Sequence, residues 1–199
     1  RKRGFARWRA RWQAWYLFPI SLLTSVSFMY DSVRLVPRRR REDRWLEAVA
    51  LAVFFLAYVG GLVWLLGLGP ALGFIAIHQG VLGLFFALAF APNHTGMPVL
   101  DTDEDGRPLV DLDHLHKQVL TSRNIVPGWF NDWALGGLNY QIEHHLFPSM
   151  PRANLRAART FVRRACLAEG IYHHEVGLAR AYVEVLTHLH RVGRSAPAA

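Results

Sequence analysis

Read from the amino end, the chain is basic and aromatic before it is apolar. Arg1, Lys2, Arg3, Arg7, Arg9 and Arg11 interleave with Phe5, Trp8, Trp12 and Trp15, the mixture of an amphipathic segment that seeks a bilayer surface. Trp12 to Tyr30 then carries no formal charge; it is interrupted by Pro19 and softened by Ser21, Thr24, Ser25 and Ser27. Its length suits a bilayer crossing. Arg34, Arg38, Arg39, Arg40, Arg41 and Arg44 follow at once. Basic loops stay on the cytoplasmic side, so a crossing would strand one of the two basic clusters on the wrong face. The pattern favours a segment that lies in the interface, or re-enters it, over a plain spanning helix.

From Ala48 to Asn93 there is no Asp, Glu, Lys or Arg. As one helix this run would be about 69 Å long, about twice the hydrocarbon thickness. Gly67-Leu68-Gly69-Pro70 has turn chemistry and divides it into spans near Ala48–Leu66 and Ala71–Phe90. Such a transmembrane helical hairpin returns the chain to the basic, cytoplasmic side, so everything from Asn93 onward is expected in the cytosol. His78 falls inside the second span. A polar residue there is either functional or bonded to a neighbouring helix, and the second is the simpler expectation.

Beyond Pro151 two cytosolic helices are expected, near Ala153–Ala168 and Val176–Leu189. Leu155, Ala158, Phe161, Val162 and Ala165 recur at helical spacing. Arg152, Arg156, Arg159, Arg163 and Arg164 take the other face, where they meet solvent, the membrane surface or an acidic acyl carrier. His173, His174, His188 and His190 are expected to lie away from the site described below. The fold expected is an all-α membrane protein. Residues 1–47 form a basic interfacial or re-entrant segment, 48–92 the hairpin, 93–194 a cytosolic helical cap and 195–199 a disordered tail.

Charge sharpens the choice of partner. Lys+Arg of 23 against Asp+Glu of 15 gives a net charge of +8. That balance often marks a nucleic-acid binder, but here the basic residues flank apolar segments, so anionic lipid headgroups are the expected partner and nucleic acid is not. The single cysteine, Cys166, has no internal disulfide partner and suits a reducing, cytosolic face. No small-residue cleavage site closes Trp12–Tyr30, so no signal peptide is read. The first residue is not Met, and a fragment of a longer protein is expected.

Two polar clusters invite a metal reading and lose it. Asp101-Thr102-Asp103-Glu104-Asp105-Gly106 imitates the start of a calcium loop, but the twelfth position, which needs a bidentate Glu, is Leu112. Asp111, Asp113, His114 and His116 are read as surface or substrate-channel lining. The stronger candidate is Gly136-Gly137-Leu138-Asn139-Tyr140-Gln141-Ile142-Glu143-His144-His145-Leu146-Phe147-Pro148. Imidazole is the commonest protein ligand for iron, copper and zinc. In a helix Gln141 shares a face with His144 and His145, while the two histidines diverge by about 100° and can serve two different ions.

This stretch, with Thr121-Ser122-Arg123-Asn124-Ile125 before it and Ser149-Met150-Pro151 after it, resembles the third histidine box of the membrane fatty acid desaturases. The Q-x-x-H-H form is similar to the branch of front-end and linoleoyl-CoA-type enzymes. The resemblance is dense from about Ala89 to Leu155. It implies an O2-dependent oxidoreductase that introduces a cis double bond into an acyl-CoA or acyl-lipid at a di-iron centre. His144 and His145 are then iron ligands, and His94 matches an extra ligand at the end of the last span. Gln141, Asn93, Asn139 and Glu143 become weak ligands or residues that orient the ligands, though a simple helix cap serves equally well for Asn93. The family's two earlier boxes have no counterpart in this chain, so the carboxy-terminal part of an enzyme is expected, inactive alone. A separate ferredoxin- or cytochrome-type donor with an NAD(P)H reductase is implied. So is an inner or plasma membrane location, if the source is bacterial, with the box on the cytoplasmic side. A membrane di-iron lipid or carotenoid hydroxylase or ketolase, and a metal-free remnant, stay open as alternatives.

Overall fold

The computed structural model describes residues 8, 10–38, 40–100 and 112–195. The calcium-loop imitation at Asp101–Gly106, Asp111, most of the basic-aromatic start and the tail after Ser195 lie outside the described residues. The chain divides into two units, Tyr16–Ala87 and Arg1–Trp15 with Leu88–Ala199.

The first unit is built of helices. Helix α1 spans Leu17–Ser21 and α2 spans Thr24–Leu35, so the uncharged stretch Trp12–Tyr30 is broken at Leu22–Leu23 instead of forming one continuous rod. A single 3-10 turn, Val36–Arg38, leads into α3, Arg41–Phe55. A π-helical turn, Leu56–Gly60, joins α3 to α4, Gly61–Leu66, and α5 runs from Leu68 to His94. Among the described residues two helices are long and apolar enough to cross a membrane, Glu42–Leu66 and Leu68–His94. The break between them is narrower than the turn read from sequence. Gly67 alone leaves the helix, at φ 77°, and Gly69 and Pro70 sit in the first turn of α5, where a missing N–H breaks no helical bond.

Packing inside this unit uses polar contacts. A Cβ at Gly83 would lie 2.7 Å from the carbonyl oxygen of Leu22, so α5 meets the α1–α2 break backbone to backbone, and only glycine permits it. Ser25 Oγ bonds Gln79 Oε1, Gln79 Nε2 donates to the Tyr58 hydroxyl at 3.2 Å, and that hydroxyl lies 2.6 Å from His78 Nδ1. His78 is thus bonded to a neighbouring helix, the simpler of the two expectations.

The second unit takes in the last turns of α5 and carries α6 (His114–Leu120), β1 (Asn124–Ile125), α7 (Trp129–Ala134), α8 (Gln141–Leu146), α9 (Arg152–Ala168), β2 (Glu175–Val176) and α10 (Leu178–Ser195). The two strands form a parallel ladder, Asn124 opposite Glu175 and Ile125 opposite Val176, which modifies the all-α expectation. They are too short to show any period in the sequence. Two small cores flank the ladder. Ala89, Ile125, Leu135, Val176 and Ala181 form one; Val119, Ile142, Val162, Cys166 and Ile171 form the other.

On α9 the inward stripe is Leu155, Val162 and Cys166, whereas Phe161 is 70% exposed. Arg159 falls on that inward stripe and not on a solvated face, because both its Nε and Nη2 donate to the Glu175 carboxylate and tie α9 to β2. The second helix expected beyond Pro151 starts later than read from sequence, since Val176 is taken by the ladder, and it runs on to Ser195.

Candidate functional site

The site begins where α5 ends. Pro92 lies inside this helix, so the Leu88 carbonyl loses its helical N–H partner. The Tyr182 hydroxyl of α10 donates to that carbonyl instead, and burial pushes the Tyr182 phenol up to about 12. Below it, buried Arg123 donates from Nη1 to the Pro92 carbonyl at 2.8 Å and from Nη2 to the Thr95 carbonyl at 3.3 Å. These are the open acceptors of a helix C-terminus, satisfied here by a guanidinium whose Nε faces Glu184 Oε2 at 3.3 Å. Asn93 and His94, the last two helical residues, are therefore fixed from both sides.

The facing element, α8, is set by its flanks. Gly136 and Gly137 turn the chain at φ 55° and 86°, a backbone region that L side chains rarely occupy. A Cβ on Gly137 would press on Arg152 at 3.4 Å. Tyr140 at the helix start offers no side-chain cap, and Asn124 takes that role. Its Oδ1 accepts the Ile142 N–H at 2.9 Å while its Nδ2 donates to Glu143 Oε2 at 2.8 Å. The fully buried Glu143 also lies 3.4 Å from His173 Nε2.

Across this junction four residues meet. Asn93 Nδ2 donates to the carbonyls of Ala89 and Leu138, both at 3.1 Å, and to Gln141 Oε1 at 3.2 Å. Two fixed carbonyls set the Asn93 amide, which sets Gln141 in turn: its oxygen faces Asn93, and its Nε2 lies 3.1 Å from His94 Nε2. The His94 and His145 rings stand 5.0 Å apart, edge to face. His94 Nδ1 lies 3.4 Å from the Thr121 carbonyl and His145 Nδ1 lies 3.0 Å from Gln118 Oε1. Both partners accept, so both rings carry the proton on Nδ1 and keep a lone pair on Nε2, which in His94 accepts from the Gln141 amide N–H. Burial, with the neighbouring His94 and His144, pulls the His145 imidazole below its ordinary value, which keeps it neutral, as a metal requires. Asn93 Oδ1 is buried with no partner.

This donor set fits part of a histidine-rich metal centre. Two imidazoles with rings 5.0 Å apart, each with Nδ1 held against an acceptor, have the outer contact of a ligating histidine, and the neighbouring Asn93 has an amide oxygen without a partner. Among the described residues no three His, Cys, Asp or Glu side chains converge tightly enough to hold an ion by themselves, so ligands beyond these are needed. The His144 ring lies 6.0 Å from that of His145, with the ring planes at 82°; adjacent helical positions point about 100° apart.

Of the residues singled out from sequence, His94, His145, Gln141 and Asn93 come together. Glu143 and Asn139 contact none of these imidazoles: Glu143 binds Asn124 and His173, and Asn139 Nδ2 donates to Asp132 Oδ1 at 2.7 Å. Asp113 caps α6, accepting both the N–H and the Nδ1 of His116 at 2.8 Å. His173 corrects the expectation that it lies away from the motif. Gln118, Thr121 and Asn124 were not singled out as site residues. Thr121 and Asn124 belong to the run Thr121–Ile125, whose likeness to the histidine-box flank was the one available signal.

Residues 1–177 match the family described as fatty acid desaturase. Over 154 residues, 77% of this chain and 28% of the relative, the sequence is 32% identical to the acyl-lipid (9-3)-desaturase of Physcomitrium patens. It is 61% identical over 49 residues to the Delta(6)-fatty-acid desaturase fat-3 of Caenorhabditis elegans, covering 25% of this chain and 11% of the relative. It is 56% identical over 54 residues to the Delta(5) fatty acid desaturase fat-4 of the same organism, covering 27% and 12%. The chain thus spans less than a third of each of these three relatives. No solved structure matches it.

Proposed function

The chain belongs to the fatty acid desaturase family, and on that premise we propose that it is the carboxy-terminal part of a membrane di-iron desaturase that introduces a cis double bond into an acyl-CoA or acyl-lipid. In this reading Glu42–Leu66 and Leu68–His94 form a transmembrane hairpin, and the Q-x-x-H-H box lies on the cytoplasmic side. His94, His144 and His145 hold iron, together with ligands supplied by upstream boxes. Electrons come from a separate ferredoxin- or cytochrome-type protein.

One observation carries the reading. His94 and His145, far apart in sequence, present rings 5.0 Å apart, each with its Nδ1 occupied by an acceptor. Bound iron supplies the chemistry that side chains lack, namely O2 activation and hydrogen removal from an unactivated methylene. The chain's own residues do the rest. The Thr121 carbonyl and Gln118 keep two imidazoles in the ligating tautomer, and Asn93 orients Gln141 beside them. Arg123 and Tyr182 hold the end of α5 so that His94 keeps its place.

The test uses the complete enzyme carrying the upstream boxes. His94→Ala, His144→Ala and His145→Ala should each abolish desaturation and lower bound iron, while His190→Ala changes neither. The 199-residue chain alone should bind iron below one equivalent and form no product. Full iron content and normal turnover in both His144→Ala and His145→Ala would overturn the assignment.

A further inference from the structure

Helix α7 is amphipathic in the wrong sense for a helix in water. Successive residues turn by about 100°, so Trp129, Phe130 and Trp133 fall within one arc of about that width. Those three side chains are 84%, 48% and 76% exposed. Their rings are neighbours, T-shaped with centroids 5.9 Å apart from Trp129 to Phe130 and tilted with centroids 6.3 Å apart from Phe130 to Trp133. The polar residues of the same helix turn inward. Asn131 Nδ2 donates to the Val126 carbonyl at 2.8 Å, and Asp132 Oδ1 accepts from Asn139 Nδ2 at 2.7 Å and from the Tyr140 hydroxyl at 3.0 Å. A water-facing helix would show the reverse distribution.

Two basic side chains lie close to this helix. Arg156, 69% exposed, reaches Asp132 Oδ2 at 3.4 Å, and Arg152 donates from Nη1 to the Gly136 carbonyl at 3.2 Å just beyond the end of α7. The same unit receives the end of α5, a helix long and apolar enough to cross a membrane. Tryptophan rings concentrate at the membrane–water boundary, and arginine beside them pairs with anionic headgroups. We propose that α7 is an interfacial anchor: Trp129, Phe130 and Trp133 insert among the lipids of the leaflet nearest the end of α5, and Arg152 and Arg156 meet its anionic headgroups. The anchor fixes the height of the Gly136–Gly137 turn, and with it α8, relative to the bilayer surface.

The test places a nitroxide at position 133 of the 199-residue chain, through Trp133→Cys in a Cys166→Ala background, in bilayers of phosphatidylcholine and phosphatidylglycerol. Collision with oxygen, which concentrates in lipid, is compared with collision with a water-soluble nickel chelate, and Glu169→Cys in the exposed turn after α9 serves as the reference. Insertion predicts oxygen-dominated relaxation at 133 and nickel-dominated relaxation at 169. Nickel-dominated relaxation at both sites would overturn the proposal, as would shielding of position 133 from both reagents, the mark of a protein partner on this face. A second measurement leaves Cys166 in place. Brominated lipids should quench the tryptophan emission of the parent chain more than that of the Trp129→Phe, Trp133→Phe chain, and equal fractional quenching would count against insertion.

Discussion

Asn124 offers the sharpest test of how the box helix is held. It is fully buried, its oxygen accepts the Ile142 N–H at 2.9 Å, and its nitrogen donates to Glu143 at 2.8 Å. Asn124→Asp keeps the shape and the Ile142 contact but turns the donor facing Glu143 into an acceptor. Two buried carboxylates cannot both stay ionised at that distance. The cheapest escape is to protonate the introduced acid, which then donates to Glu143. Holding an ordinary aspartic acid neutral at pH 7 costs about 4 kcal/mol, roughly three units at 1.36 kcal/mol each. For a chain of this length that corresponds to a fall of about 8–16 °C in melting temperature. The folded pKa of the new group is raised above its unfolded value, so the penalty grows as pH rises and shrinks to about 1.5 kcal/mol near pH 5. Adding Glu143→Gln restores one donor and one acceptor, and the double variant should regain most of the loss at pH 7. Thermal unfolding in detergent micelles, followed by intrinsic fluorescence from pH 5 to pH 7.5, measures all of this. A single variant that melts with the parent at pH 7, or a double variant no better than the single, would refute the pairing of Asn124 with Glu143.

Three further outcomes are expected. Tyr182→Phe removes the hydroxyl from the Leu88 carbonyl and should cost about 1–3 kcal/mol; in a Pro92→Ala background, where a backbone N–H returns, the same change should cost markedly less by thermal melting. For Glu184, burial pushes its carboxyl up, but the bonds from His174 and Arg180 and the charge of Arg123 outweigh this and hold it below its usual range. That stability is present above about pH 4.3, the ordinary glutamate value, and is lost as pH falls through the lowered one; Glu184→Gln should therefore flatten the acid limb of an unfolding-versus-pH curve. If the two apolar helices form a hairpin, reporters fused at Gly69 and Gly170 should report opposite sides of the membrane, and agreement between them would remove it.

Much of this chain was legible because its physics is local. The uncharged run Ala48–Asn93 announces helices that need no partner to satisfy their backbone, and Gly67 and Pro70 mark where they divide. The box Gln141–His145 carries its chemistry in residue type, and helical spacing separates His144 from His145 whatever surrounds them. What tertiary structure alone decided are the contacts between distant segments. Nothing in sequence places His173 against Glu143, Tyr182 on a carbonyl freed by Pro92, or Gln118 behind His145, because each depends on how helices cross. Two-residue strands have no periodicity to read, and Arg159 looked solvated until Glu175 arrived from the second strand to pair with it. Residue chemistry in sequence named the ligand candidates; packing chose which of them meet, since a ligating imidazole needs a second partner to fix its tautomer and that partner comes from elsewhere in the chain.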